Sequence, residues 1–291
     1  MSEGTAIRHV DYAGFEKVYL QAVADLMITW DAGMQREIAR HNVDWLPGST
    51  DFSEYLRCSC LRYFKAYHGL ITTGSQSVCD VGGFLGVFPL ALSRLGFKAS
   101  MTEARAYYSN AFDPLFKTLV AEGVEIIDME LFAEPVGEPG RQFDAVTLMA
   151  VLEHYPHSHC QAMENVRALL RGSGHLYVEV PNIAYWPKRW GLLTGKSPLV
   201  SIDSKYRSAV PFIGHHHEFT ETDLDKLLVL SGFKSLQCWK FNYSRPRIDS
   251  FRKLRWRLSP EGWGENIASI IYRLFPDTRE CIAVLCAKQD E

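Results

Sequence analysis

The stretch Ser77-Val78-Cys79-Asp80-Val81-Gly82-Gly83-Phe84-Leu85-Gly86 packs an apolar strand, an acidic residue and a glycine loop into ten residues. It constrains the fold more than any other part of the chain. A short apolar run suits a parallel strand covered on both faces, and the turn that leaves it needs glycine wherever a Cβ would strike a ligand or force an unfavourable φ. Val87 to Leu95 follows as a short helix whose unpaired N–H groups point back at the loop. The whole reads as a cofactor cradle.

The loop spacing, Gly82-Gly83-x-x-Gly86, departs from the Gly-x-Gly-x-x-Gly dinucleotide fingerprint, so its meaning depends on what comes next. Glu103 closes the strand-like run Lys98-Ala99-Ser100-Met101-Thr102 and lies 23 residues after Asp80. In a strand-helix-strand unit that spacing brings a carboxylate to the carboxyl end of the neighbouring strand, where it can accept both hydroxyls of a ribose.

From Val78 onward strands and helices alternate, the pattern of a doubly wound α/β fold with a parallel sheet. Helices are expected over Val87 to Leu95, Ala106 to Glu122, His159 to Leu170 and Thr220 to Ser231, the last capped by Thr220 and stopped by Gly232. The first 70 residues differ. Phe15, Val18, Tyr19, Ala22, Val23, Leu26 and Met27 fall at helical spacing, Leu46-Pro47-Gly48-Ser49 breaks the pattern, and Phe52 to Tyr67 resumes it as a second helix. We therefore divide the chain into a helical N-terminal lid, 1–70, and a domain, 71–291, with insertions at 182–217 and 244–279. The first insertion is rich in aromatic and basic side chains, among them Tyr185, Trp186, Lys188, Arg189 and Trp190. The second separates strand-like Leu236 to Tyr243 from strand-like Cys281 to Ala287.

With 291 residues, 47% of them hydrophobic, the chain can bury a sizeable core. A net charge of −3 argues against a general nucleic-acid binder. No apolar run approaches the roughly 18 residues of a spanning helix, and Met1 to Val10 lacks the basic-then-apolar pattern of a signal peptide. Seven scattered cysteines without a CxxC pair point to reduced thiols and a cytoplasmic protein.

From about Ser77 to its end the chain resembles a class I S-adenosylmethionine-dependent methyltransferase. Asp80, Gly82 and Gly86 match the family's Asp/Glu-x-Gly-x-Gly-x-Gly loop, with Phe84 in place of the middle glycine. Asp128, after Val124-Glu125-Ile126-Ile127, matches the acidic position near the adenine. Phe143 to Met149 looks like the fourth strand, Val151-Leu152-Glu153-His154 resembles the Leu-Glu-His signature, and His175 to Asn182 looks like the fifth strand and its exit. The resemblance implies a Rossmann-like seven-stranded sheet with a terminal antiparallel hairpin and an insertion roofing the substrate. It implies S-adenosylmethionine bound at Asp80, Gly82, Gly83, Gly86, Glu103 and Asp128.

Methyl transfer from a sulfonium is an in-line displacement, so the protein mainly positions the acceptor and excludes water. A hydroxyl acceptor also needs a base, and histidine is best poised for that near neutral pH. Two candidates stand out: His154, after the fourth strand, and His215 in Gly214-His215-His216-His217-Glu218-Phe219-Thr220. Their structural alternatives are a bond to a backbone carbonyl for His154 and a polar loop capping the next helix for His215. Three consecutive histidines also raise a metal reading, but adjacent side chains point apart in extended backbone, and no metal is expected.

The stretch from Ser244 to Leu258 sets six basic residues against a single Asp249, which reads either as a solvated face or as a site for an anionic acceptor or membrane surface. Tyr185, Trp186 and Trp190 are expected to stack on acceptor rings, and Arg252 and Arg255 to hold its anionic group. The acceptor is then small and sugar-like, nucleotide- or lipid-linked, methylated on oxygen or, as the nearest variant, on the nitrogen of an amino sugar. A nicotinamide oxidoreductase would share the glycine loop and Glu103 but lack the terminal hairpin. A catalytically silent cofactor-binding protein would bind cofactor without turnover.

Overall fold

Ser77–Val81 (β1) forms the central strand, because four of its five residues are buried and neighbours cover both faces. Lys98–Glu103 (β2) and Phe143–Met149 (β4) flank it in parallel, Glu125–Asp128 (β3) lies outside β2, and Leu170–Pro181 (β5) lies outside β4. Phe233–Phe241 (β6) and Cys281–Lys288 (β7) form an antiparallel hairpin whose β7 edge pairs antiparallel with β5. The order is β3-β2-β1-β4-β5-β7-β6, a seven-stranded mixed sheet of Rossmann-like type. The chain winds outward from β1 and then returns to β4, so the β1/β4 boundary is the switch point at which ligands of open α/β sheets bind. The computed structural model describes residues 6–132, 142–244 and 260–289.

Alternate residues of the strands face two separate cores. Val78 and Ala145 face one side; Cys79 and Val146 face the other. On the first side lie Val87–Arg94 (α5) and the N-terminal helices Tyr12–Met27 (α1) and Cys60–Thr72 (α4). On the second lie Cys160–Leu169 (α7) and Glu221–Leu230 (α10). Helix α10 opens on Thr220 in a capping box with Asp223, as its sequence indicates.

Two expected helices are divided. Phe52 to Tyr67 is broken at the buried Ser59 into Phe52–Cys58 (α3) and α4; the apolar spacing runs through the break, which hides it from a periodicity argument. Ala106 to Glu122 becomes two short turns and Asp113–Ala121 (α6), because Pro114 lacks an N–H and fits only the first turn of a helix. Ala32–Ala39 (α2) and a turn at Val43–Trp45 complete the N-terminal part. The 182–217 insertion carries Trp186–Leu193 (α8) and Ile202–Arg207 (α9). Within 244–279, Pro260–Leu274 is helical (α11), and 245–259 falls outside the described residues. All seven cysteines are free, and no described helix is long and apolar enough to cross a membrane.

Candidate active site

The loop after β1 is shaped by two glycines in the left-handed region, Gly82 (φ +66°) and Gly86 (φ +72°). Gly86 starts α5, and a Cβ there would come within 2.5 Å of Leu119, so this glycine is required by packing as well as by φ. A Cβ on Gly82 would touch Val151 in the loop after β4, and one on Gly83 would press on Met101 and on Asp80. Phe84 itself adopts φ +51°, the conformation a glycine would take without strain. Its N–H donates to Glu103 Oε2 at 2.9 Å, and its ring lies 6.0 Å from those of Trp45 and Phe52. Phe84, which stands at the loop's middle position, thus places an aromatic wall on a left-handed backbone.

Three carboxylates end three adjacent strands around this loop. Asp80 is 5% exposed and accepts from Thr147 Oγ1 at 2.6 Å; burial pushes its pKa up to about 7. Glu103 accepts from Tyr108 Oη at 2.6 Å on Oε1 and from Phe84 on Oε2, and burial also pushes it up to about 7. Each carboxylate oxygen offers two lone-pair sites, so Glu103 keeps one on each oxygen for a ribose diol. Asp128 is exposed, pairs with Glu103 across the β2–β3 ladder and accepts from the Arg105 N–H at 3.0 Å. This donor set, negative and acceptor-rich beside a glycine turn, fits a ligand carrying ribose hydroxyls and positive charge.

The β4 end faces the same loop. Ala150 turns the chain with φ +53°, its N–H bonded to the Glu179 carbonyl at 2.9 Å. A single turn, Leu152–His154, follows. Glu153 is fully buried, and neither carboxylate oxygen has a hydrogen-bond partner. His154 Nδ1 lies 2.7 Å from the Ile213 carbonyl oxygen, which fixes the Nδ1–H tautomer and leaves Nε2 as an acceptor. His215 Nδ1 lies 2.8 Å from Glu218 Oε1, and Glu218 is also paired with Lys188. The two imidazoles meet edge-on, 4.8 Å between centroids, and each Nε2 is 4.0 Å from Glu153 Oε1. Burial, with His215 alongside, pushes His154 down to about 4; burial pushes Glu153 up to about 8.

Consecutive histidines do point apart here. His216 Nε2 reaches the Phe212 carbonyl at 2.8 Å, and His217 packs edge-on against Phe219. The backbone N–H groups of both bond the Glu153 carbonyl at 2.7 and 3.2 Å, which fixes the histidine loop to the turn after β4.

The N-terminal segment, expected as a lid, meets this end through Trp45, a residue that no sequence motif marks. Trp45 lies 6.5 Å from His154, ring to ring, and 6.0 Å from Phe84. The residues beside it hold the insertion: Ala209 N–H to the Arg40 carbonyl at 2.7 Å, Ile213 N–H to His41 at 3.0 Å, and Ser204 Oγ to Asp44 Oδ1 at 2.5 Å. Tyr185 stacks on Tyr272 at 6.1 Å, and Trp186 stacks on Trp190, which is 58% exposed. Arg252 and Arg255 lie outside the described residues.

The model of the methyltransferase domain family matches residues 52–237. No curated protein matches the chain by sequence. Among solved structures, the chain is similar to the N-methyltransferase NodS from Bradyrhizobium japonicum WM9 in complex with S-adenosyl-L-homocysteine. The identity is 12%, the TM-score 0.52, and the match covers 89% of this chain and 100% of that one. It is also similar to the magnesium protoporphyrin IX methyltransferase ChlM from Synechocystis PCC 6803 with bound S-adenosylhomocysteine, at 15% identity and TM-score 0.51, over 90% of this chain and 99% of that one. At these identities the likeness speaks for the fold.

Proposed function

We propose, from the premise that this chain belongs to the methyltransferase domain family, that it moves a methyl group from S-adenosylmethionine to a small acceptor seated beside His154 and His215. It is a class I S-adenosylmethionine-dependent methyltransferase, and S-adenosylmethionine is its cofactor. The observation that supports the acceptor's place is that a Cβ built on Gly82 would come to 3.0 Å from the Val151 side chain. It sets the cofactor loop directly against the segment that bears Glu153 and His154.

When bound, the cofactor supplies an electrophilic methyl on sulfur. The residues of the chain do the rest. Asp80, Glu103 and Asp128, around Gly82, Gly83 and Gly86, hold it from the ends of three strands. Trp45 and Phe84 form an apolar wall that keeps water from the transfer path. His154 and His215, both with an accepting Nε2, would orient an acceptor hydroxyl and take up its proton.

We infer a sugar-like acceptor, methylated on oxygen, or on nitrogen if it is an amino sugar. Its anionic part, nucleotide- or lipid-linked, would meet Arg252 and Arg255, with Tyr185, Trp186 and Trp190 against its rings. The aromatic and basic content of 182–217 and 244–258 supports this. We place the enzyme in the cytoplasm, with 1–70 as the lid and 182–217 as the roof. The nicotinamide reading fails on the β6–β7 hairpin and on the family match.

The test is calorimetry of cofactor binding with Glu103→Ala beside the native protein. Loss of two charge-assisted hydrogen bonds should cost about 2 to 4 kcal/mol of affinity with the fold intact. Unchanged affinity would remove Glu103 from the cofactor site. Transfer of labelled methyl to a panel of nucleotide-linked sugars then separates an active enzyme from a silent binder.

A further inference from the structure

We propose that Glu153, His154 and His215 form a binding site for one divalent first-row transition metal ion, zinc foremost, with open positions facing the acceptor. Their ligand atoms all lie within 4.8 Å of one another. Two imidazole nitrogens and one carboxylate form a known ligand set for catalytic zinc and related ions. A bound zinc would bring those atoms to about 3.3 Å from one another, given bonds near 2.1 Å. The two 4.0 Å contacts therefore close by less than an ångström, and the widest separation in the set by no more than about 1.5 Å.

The surroundings of the three residues point to a cation independently. Glu153 is fully buried with both carboxylate oxygens unpartnered, a costly arrangement unless something completes it. Its backbone carbonyl is bonded twice by the histidine loop, so the turn and the loop are held together before any ligand arrives. Each histidine is oriented from behind. Nδ1 of His154 is held by the Ile213 carbonyl, and Nδ1 of His215 by the Glu218 carboxylate, itself paired with Lys188. Both rings thus turn Nε2 toward Glu153, and carboxylate or carbonyl support of the far nitrogen is the usual partner of a metal-bound histidine.

Histidine nitrogens favour a transition ion over magnesium, which prefers an all-oxygen shell. The side chains of His215, His216 and His217 diverge, so the run does not converge on one ion by itself. The convergence is instead between residues 61 positions apart, joined by the fold. The function of the ion rests on the methyltransferase reading above: an acceptor oxygen bound at an open position would lose its proton to water more readily, and the two histidines would act as ligands in place of a free base.

The full-length protein, stripped with a chelator and dialysed, is titrated with Zn²⁺, Co²⁺ and Mg²⁺ by calorimetry, with the visible spectrum of Co²⁺ reporting its ligands. One Zn²⁺ or Co²⁺ per chain is expected, and Mg²⁺ should bind far more weakly. His154→Ala and His215→Ala should each weaken uptake by at least about 100-fold, and Glu218→Gln by roughly 10- to 100-fold. S-adenosylmethionine affinity should be unchanged in all three. Absence of saturable uptake, or uptake equal to that of the native protein in both histidine variants, would overturn the site. Zinc uptake of this kind in a protein that fails to bind S-adenosylmethionine would leave the site standing and overturn the methyltransferase reading. Undiminished methyl transfer by the stripped protein would overturn the ion's part in the reaction.

Discussion

Gly86 shows how one residue serves the cofactor loop and the core together. Its φ of +72° and the 2.5 Å approach of a built Cβ to Leu119 leave no room for a side chain. Leu119 is fully buried and cannot retreat. Gly86→Ala should therefore cost roughly 1 to 3 kcal/mol from overpacking and about 1 to 2 kcal/mol more from the left-handed backbone, read by urea unfolding. Adding Leu119→Ala should recover part of the overpacking, so the double variant should fall short of the summed losses. Strict additivity would mean that the clash is absent. Phe84 and Ala150 are the matching cases without glycine, and both sit on loops at the switch point, where strained backbone serves to place a site.

At the scale of elements, the decisive joint is between the segment 40–45 and the β5 insertion. Neither buries much of a core alone. Together they share backbone bonds and the Ser204–Asp44 contact beside the Trp45–Phe84 ring pair. Asp44→Ala removes one such bond, worth about 1 kcal/mol, and should raise the rate of tryptic cleavage after Lys205 or Arg207 about fivefold under native conditions. Cofactor affinity should stay the same. Cleavage at the native rate would show that the insertion is held by other contacts.

For the whole molecule, burial of Asp80 and Glu103 sets a pH dependence. Asp80 is faced by Thr147 on β4 and by Arg62 on α4, and Glu103 by Tyr108, by the Phe84 N–H and by the charges of Asp80 and Glu130. Both folded values rise to about 7, above the ordinary carboxylate range near 4. The folded state therefore holds protons that the unfolded chain releases. Their contribution to stability is complete below about pH 4 and is lost as pH rises toward 7. The Tm of the cofactor-free protein should fall between pH 5.5 and 7.5, and the double variant Asp80→Asn, Glu103→Gln should lessen that fall, leaving the part that belongs to Glu153. A Tm that rises over the same interval in the native protein would reverse the assignment.

The local pattern determined the sheet and the cofactor loop. A strand buried on both faces needs consecutive apolar residues, a turn in the left-handed region needs glycine, and the spacing of Asp80 and Glu103 follows from the length of one strand-helix-strand unit. Those demands are met within about thirty residues, so Val78, Gly82 and Glu103 reveal them directly. The last two strands were legible as the runs Leu236 to Tyr243 and Cys281 to Ala287, while their pairing as a hairpin came from the family resemblance. Only the tertiary structure could decide how the acceptor end is assembled. Trp45, Glu153, His154 and His215 come from three distant stretches, and nothing in the periodicity around Trp45 or Glu153 distinguishes either from an ordinary core or turn residue. The histidines were visible as chemistry, but their shared partner was not. Convergence of side chains depends on how loops cross at the switch point, which is set by long-range packing and by backbone bonds such as those from His216 and His217 to Glu153.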